Sequence, residues 1–114
     1  MIPKFRVWNT ETKEIEVFQT YEEISELFLA LSADDGFYSI MQSTGLFDKN
    51  NKEIFEGDIV LVLDSPYTVF YDNEKGSYRL KPHDDRWNVD YMSNFSHGGN
   101  FEIIGNIYEN KELL

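Results

Sequence analysis

Residues 41–62 read MQSTGLFDKNNKEIFEGDIVLV, and the order of polar and apolar positions in them decides the fold. Residues 37–42 form a short strand candidate. Thr44-Gly45-Leu46-Phe47 predicts a turn, leading to a loop over 48–52. Asp and Asn favour such loops because their side chains bond nearby backbone and tolerate left-handed conformations. Glu56-Gly57-Asp58 interrupts the chain again. Residues 59–63 are a continuous apolar run, which predicts a strand buried on both faces. Ile54, Phe55, Ile59, Val60 and Val62 are the expected core, and the glycines are expected to hold turns.

Downstream, Ser65-Pro66 breaks the run. Residues 67–71 and 77–81 read as two strands joined by a polar hairpin loop at 72–76. A last strand is predicted over 100–108, with Gly105 as a bulge or a site of close backbone approach. Several short strands with tight loops argue for a small barrel or sandwich.

Upstream, residues 4–8 alternate with Phe5 and Val7 on one face, and residues 14–18 alternate with Ile15 and Val17. The polar stretch between them predicts an antiparallel hairpin. Thr20 and Glu23 form a capping box, in which each side chain satisfies the other residue's free backbone amide. Ile24, Leu27, Phe28 and Leu31 follow at helical spacing, so one amphipathic helix is expected over 21–32. Glu22, Glu23 and Glu26 lie off that stripe and suit the positive end of the helix dipole. Asp34-Asp35-Gly36 ends it. The layout is one domain over 1–114, with a hairpin-and-helix cap at 1–36 and a β region at 37–114.

At 114 residues the chain is small, yet nine Phe, seven Tyr and two Trp can bury large areas. It has no cysteine, which excludes disulfide and thiol chemistry. No apolar run is long enough for a membrane helix, and the start turns polar at once, unlike a signal peptide. Net charge is −11, spread over both halves of the chain. That field repels phosphate backbones, and no Lys/Arg cluster offsets it, so no direct nucleic-acid binding is expected. Solubility alone accounts for the charge.

Residues 41–62 follow the pattern M-Q-x-T-G-L-x-D-K-N-G-K-E-I-x-E-G-D-I-V at almost every position. The last fourteen residues, FEIIGNIYENKELL, follow F-E-V-I-G-N-I-Y-E-N-P-E-L-L, and the opening MIPKFRVW follows M-I-P-K-F-R-A-W. In these blocks the chain resembles the YopX family, small proteins of phages and prophages of Gram-positive bacteria. Asn51 replaces a Gly of the pattern and Lys111 replaces a frequent Pro. Asn is the next-best residue at a left-handed turn position, so the hairpin is expected to survive. The resemblance, together with the Gly-Asp-Ile-Val turn into a strand, points to an SH3-like barrel within an α+β, mainly β fold. It also implies the cytoplasm of a bacterial host.

Candidate chemistry is sparse. His83-Asp84-Asp85 with His97 is the only metal-like cluster, but neighbours in one loop rarely converge on an ion. Glu56 and Asp58 are the best placed acids, and Asp58 equally suits a turn residue bonding the amides around Gly57. Ser96-His97-Gly98-Gly99 lacks the strand that precedes a nucleophile elbow. No catalytic, cofactor-binding or metal residue is assigned. Residues 82–100 gather Arg86, Trp87, Tyr91, Met92 and Phe95. Aromatics at 87, 91 and 95 have helical spacing and fit core packing; the same residue types dominate protein interfaces. They are the candidate interaction surface.

The expected function is a non-enzymatic module that contacts a host or phage protein. Three alternatives stay open. An acidic nucleic-acid mimic would need a stripe of carboxylates, and a small enzyme would need a pocket of converging polar groups. A regulator touching DNA itself is opposed by the charge.

Overall fold

The computed structural model describes residues 4–32, 38–84, 86, 89–91 and 101–114, with backbone alone at 30–32 and 90–91. The chain forms two compact units, Met1–Ser43 and Thr44–Leu114. It is mainly β with one α-helix among the described residues, in two sheets.

In the first unit, β1 (Phe5–Asn9) and β2 (Glu14–Phe18) form the expected antiparallel hairpin. Its turn is held by Asn9, whose side-chain oxygen accepts the Glu11 and Thr12 amides at 2.9 and 3.2 Å. Lys13 closes it in a left-handed conformation, φ 59°. Helix α1 (Tyr21–Ser32) starts where the capping box places it. The Glu23 amide donates to Thr20 Oγ1 at 3.1 Å, and the Thr20 amide donates to Glu23 Oε1 at 3.2 Å. Ile24 and Leu27 are buried as expected. Phe28 is not: it is 52% exposed, and its ring meets that of Phe5 edge to face, centroids 6.0 Å apart. The buried stripe is narrower than the apolar one, and Phe28 sits at its margin. The Leu31 side chain and residues 34–36 lie outside the described residues.

Strand β3 (Tyr38–Phe47) is longer than the expected 37–42. Its first half pairs antiparallel with β1, from Asn9↔Tyr38 to Phe5↔Gln42. The turn expected at 44–47 is strand instead. Thr44 keeps it extended, its hydroxyl donating to the Ile54 carbonyl at 2.7 Å, and Gly45 absorbs the irregularity at φ 79°.

In the second unit, β4 (Glu53–Phe55) lies beside β3. Strands β5 (Asp58–Val62), β6 (Ser65–Asp72), β7 (Ser77–Pro82), β8 (Asp90–Tyr91) and β9 (Phe101–Asn106) follow. They form a five-stranded sheet in the order β8-β7-β6-β5-β9, which curls as a small half-barrel. Ile54, Val60, Val62, Tyr67, Val69, Leu80 and Phe101 meet as one buried cluster. Each such side chain contributes about 1.5–3 kcal/mol on leaving water. All five core residues expected from the 41–62 block are buried.

Two local expectations are corrected in β5 and β6. Leu63 is not in the buried run but 85% exposed, at φ 50°. Ser65-Pro66 does not break the strand pattern; it begins β6, because Val62 pairs with Ser65 across a two-residue turn. Pro66 pairs with Leu61, and its carbonyl accepts the His83 amide at 3.1 Å. Gly105 does mark a bulge, since the β5–β9 register shifts between Ile59↔Gly105 and Val60↔Ile103.

Candidate binding site

The first unit contains an opening with a mixed lining. Side chains two apart on a strand share a face, so Phe5, Val7 and Asn9 of β1 point one way. Pairing puts Phe18 beside Phe5, Glu16 beside Val7 and Glu14 beside Asn9. Ile15 and Val17 therefore take the opposite face, with Arg6 and Trp8. Each strand alternates as its sequence predicts, but the two apolar sets are out of phase. The face that meets α1 receives two glutamates from β2. A cleft of 230 Å³ opens there, lined by β1, β2, Tyr38 and the α1 residues Glu26 and Leu27. Val7, Phe18 and Leu27 give it apolar walls. Glu14, Glu16 and Glu26 give it three carboxylates, and among the described residues no basic one lines it. All three glutamates are exposed.

On the other face of β1, Arg6 Nε donates to Met41 Sδ at 3.3 Å. The sequence hid the cleft because phase between paired strands is set by the turn and not by either strand alone.

The three buried polar residues of the second unit, Asp48, Asp58 and Asn106, each bond backbone. Asp48 accepts the Asn50 and Lys52 amides on Oδ1, at 2.9 and 2.8 Å, and the Ile103 amide on Oδ2 at 3.0 Å. Burial alone would raise its carboxyl. The three amides, with the Lys52 charge, outweigh burial and hold it below its ordinary value. Asp58 accepts the Phe55 amide at 2.7 Å, next to Gly57 at φ 88°. This is the turn geometry its sequence position predicts. Asn106 accepts the Tyr108 and Glu109 amides and donates to the Glu109 carboxylate.

His83 contacts the Thr68 hydroxyl through Nε2 at 2.7 Å and the Leu113 carbonyl through Nδ1 at 3.0 Å. It thereby ties the 3₁₀ turn at Lys111–Leu113 to β6. Among the described residues no group of three or more acidic or imidazole side chains is arranged for a metal ion. His97 and Asp85 lie outside those residues.

Of the candidate interaction surface, Arg86 is exposed and paired with Asp84 at 2.7 Å. The Tyr91 backbone lies in β8, opposite Arg79. Trp87, Met92 and Phe95 lie outside the described residues, as do Ser96, Gly98 and Gly99. Arg79 bonds Asp72 at 2.8 Å, and that guanidinium, with the Lys75 and Glu74 amides, holds the Asp72 carboxyl below its usual range.

The fold and the two sequence blocks that carry the resemblance thus define a small, mainly β protein whose first unit bears the cleft. The chain belongs to the YopX family, matching the description "YopX protein" over residues 4–114. It is similar to protein EF1440 from Enterococcus faecalis, known from a crystal structure. The two share 29% identity and a TM-score of 0.64, over 100% of this chain and 99% of that one. No curated protein matches it. Among the described residues no helix is long and apolar enough to cross a membrane.

Proposed function

We propose that this protein is a phage-encoded, non-enzymatic module that acts by contacting a protein partner in the cytoplasm of a bacterial host. The observation that carries this reading is an exposed apolar flank of α1. Tyr21, Phe28 and Leu29 are 70%, 52% and 72% exposed, and they stand at i, i+7 and i+8 on one side of the helix. Large apolar side chains grouped in this way favour a partner that removes them from water. The acids of the second unit support the same reading, because Asp48 and Asp58 serve backbone geometry. Arg86, Trp87, Tyr91, Met92 and Phe95 remain part of the proposal as a second contact region.

Affinity purification from host cells tests it, with wild type compared against Phe28→Ser/Leu29→Ser and against Trp87→Ala/Tyr91→Ala. Each variant is first checked for native circular dichroism. A partner retained by wild type and lost by a folded variant supports the reading. If wild type retains no partner, or folded variants retain it unchanged, the reading is wrong.

A further inference from the structure

We propose that the cleft of the first unit receives a lysine or arginine side chain presented by a partner protein. This rests on the reading of the chain as a contact module and names the chemistry of what it contacts.

The argument starts from strand register. Val7 pairs with Glu16 and Asn9 pairs with Glu14, so the sheet face that meets α1 carries two carboxylates where packing favours apolar residues. A third, Glu26, reaches the same opening from the helix. No ion pair among the described residues engages any of the three. The walls beneath are Val7, Leu27 and Phe18, of which Val7 and Leu27 are buried.

An apolar floor under an acidic rim complements one kind of side chain. Lysine and arginine have an aliphatic stem that packs on apolar surface and a cationic head that stays at its edge. Size points the same way. The cleft measures 230 Å³, below the about 300–1,000 Å³ of sites that enclose small molecules and cofactors. A single long side chain fills it. Charge complementarity also decides against the alternatives, since an acidic or neutral apolar residue would leave the rim without a counter-charge.

The test titrates the full chain, ¹⁵N-labelled, with four probes: the Nα-acetyl methylamides of lysine, arginine and norleucine, and spermidine. Backbone amides of Val7, Thr12, Glu16 and Leu27 report on the cleft. The expected result is saturable shifts at these amides with the lysine or arginine probe. Norleucine should give at least tenfold weaker binding, and raised salt should weaken the basic probes. Glu14→Gln/Glu16→Gln should weaken the basic probe at least fivefold; Glu26→Gln, on a different element, checks this if the double variant loses its native spectrum.

Equal binding of norleucine would show a merely apolar groove and overturn the proposal. Tighter saturation by spermidine would make the cleft a polyamine site and also overturn it. Shifts spread over the acidic surface without saturation, or none, do the same. Partner capture that depends on Phe28 and Leu29 while no basic probe binds sinks this inference alone. Probe binding without any captured partner sinks the contact-module reading instead.

Discussion

The Asp48 carboxylate accepts the Ile103 amide at 3.0 Å across 55 positions of sequence. One residue belongs to the 41–62 block and the other to the last fourteen residues. The two blocks that carry the family resemblance are therefore bonded to each other. Beside this contact the Lys49 amide donates to the Phe101 carbonyl at 2.9 Å, and Lys49 pairs with Glu102 at 2.7 Å. Asp48 orders its own loop with one oxygen and β9 with the other. A residue that reads as a loop former in sequence is a tie between distant segments.

Asp48→Asn is expected to destabilise the protein by about 1–3 kcal/mol, the usual cost of a buried donor left without its acceptor. A carboxylate offers two acceptor oxygens, whereas an amide offers one oxygen and one donor group. Either Ile103 or the loop amides must then face an NH₂. Chemical unfolding measures this, and a loss under half a kcal/mol would show that the tie carries little.

The same carboxyl gives a pH dependence of known sign. Its folded value lies below the ordinary 3.8. The stability it contributes is fully present above the unfolded value and is lost as pH falls through the folded one. Asp72 acts in the same direction through Arg79. Stability should fall with acid below about pH 4, and less steeply in Asp48→Asn than in wild type. Parallel acid-unfolding curves would refute this.

Gly105→Ala should destabilise by about 1–3 kcal/mol, as forced overpacking does. An added Cβ would lie 2.6 Å from Asn110 Oδ1, the same oxygen that accepts the Asn106 amide at 3.1 Å. Asn110 must swing away and release that bond. In an Asn110→Ala background the penalty of Gly105→Ala should shrink, which a double-mutant cycle reads directly. An unchanged penalty would place the strain elsewhere.

Much of this fold was legible because its signals are local. The capping box of Thr20 and Glu23, the left-handed Asn51 at φ 64° and the Gly105 bulge each depend on neighbours in sequence. The core of the 41–62 block was legible because its apolar residues are dense. What escaped was relational. The phase of β1 against β2, which makes the cleft, depends on a turn closed by Lys13 at φ 59°, and Lys is not a residue that announces such geometry. The partners of His83, Thr68 and Leu113, lie 15 and 30 positions away. No period in the chain encodes them.

Leu27 and Phe28 are adjacent and read alike in sequence, yet they should separate in experiment. Leu27 is buried, and Leu27→Ala should cost about 2–5 kcal/mol. Phe28 is half exposed, and Phe28→Ala should cost less than half of that despite removing a larger side chain. Guanidinium unfolding of the two variants decides the order. Equal losses would mean that the Phe5 contact anchors the helix as firmly as the Leu27 pocket.

Leu63 and Asp64 form the two-residue turn between β5 and β6, at φ 50° and 67°. A hairpin of this kind needs positive φ at both positions, which Asn-Gly supplies most readily. A leucine held there costs roughly 1–2 kcal/mol through contact of its Cβ with the backbone. Burial does not offset that cost, because the side chain is 85% exposed. Leu63→Asn should therefore raise stability, by about 1 kcal/mol when Asn relieves half or more of the strain. The gain should appear as a higher denaturant midpoint at unchanged slope, since the folded surface is nearly the same. A lowered midpoint would show that Leu63 packs on a neighbour in solution and that its left-handed turn is not the source of strain.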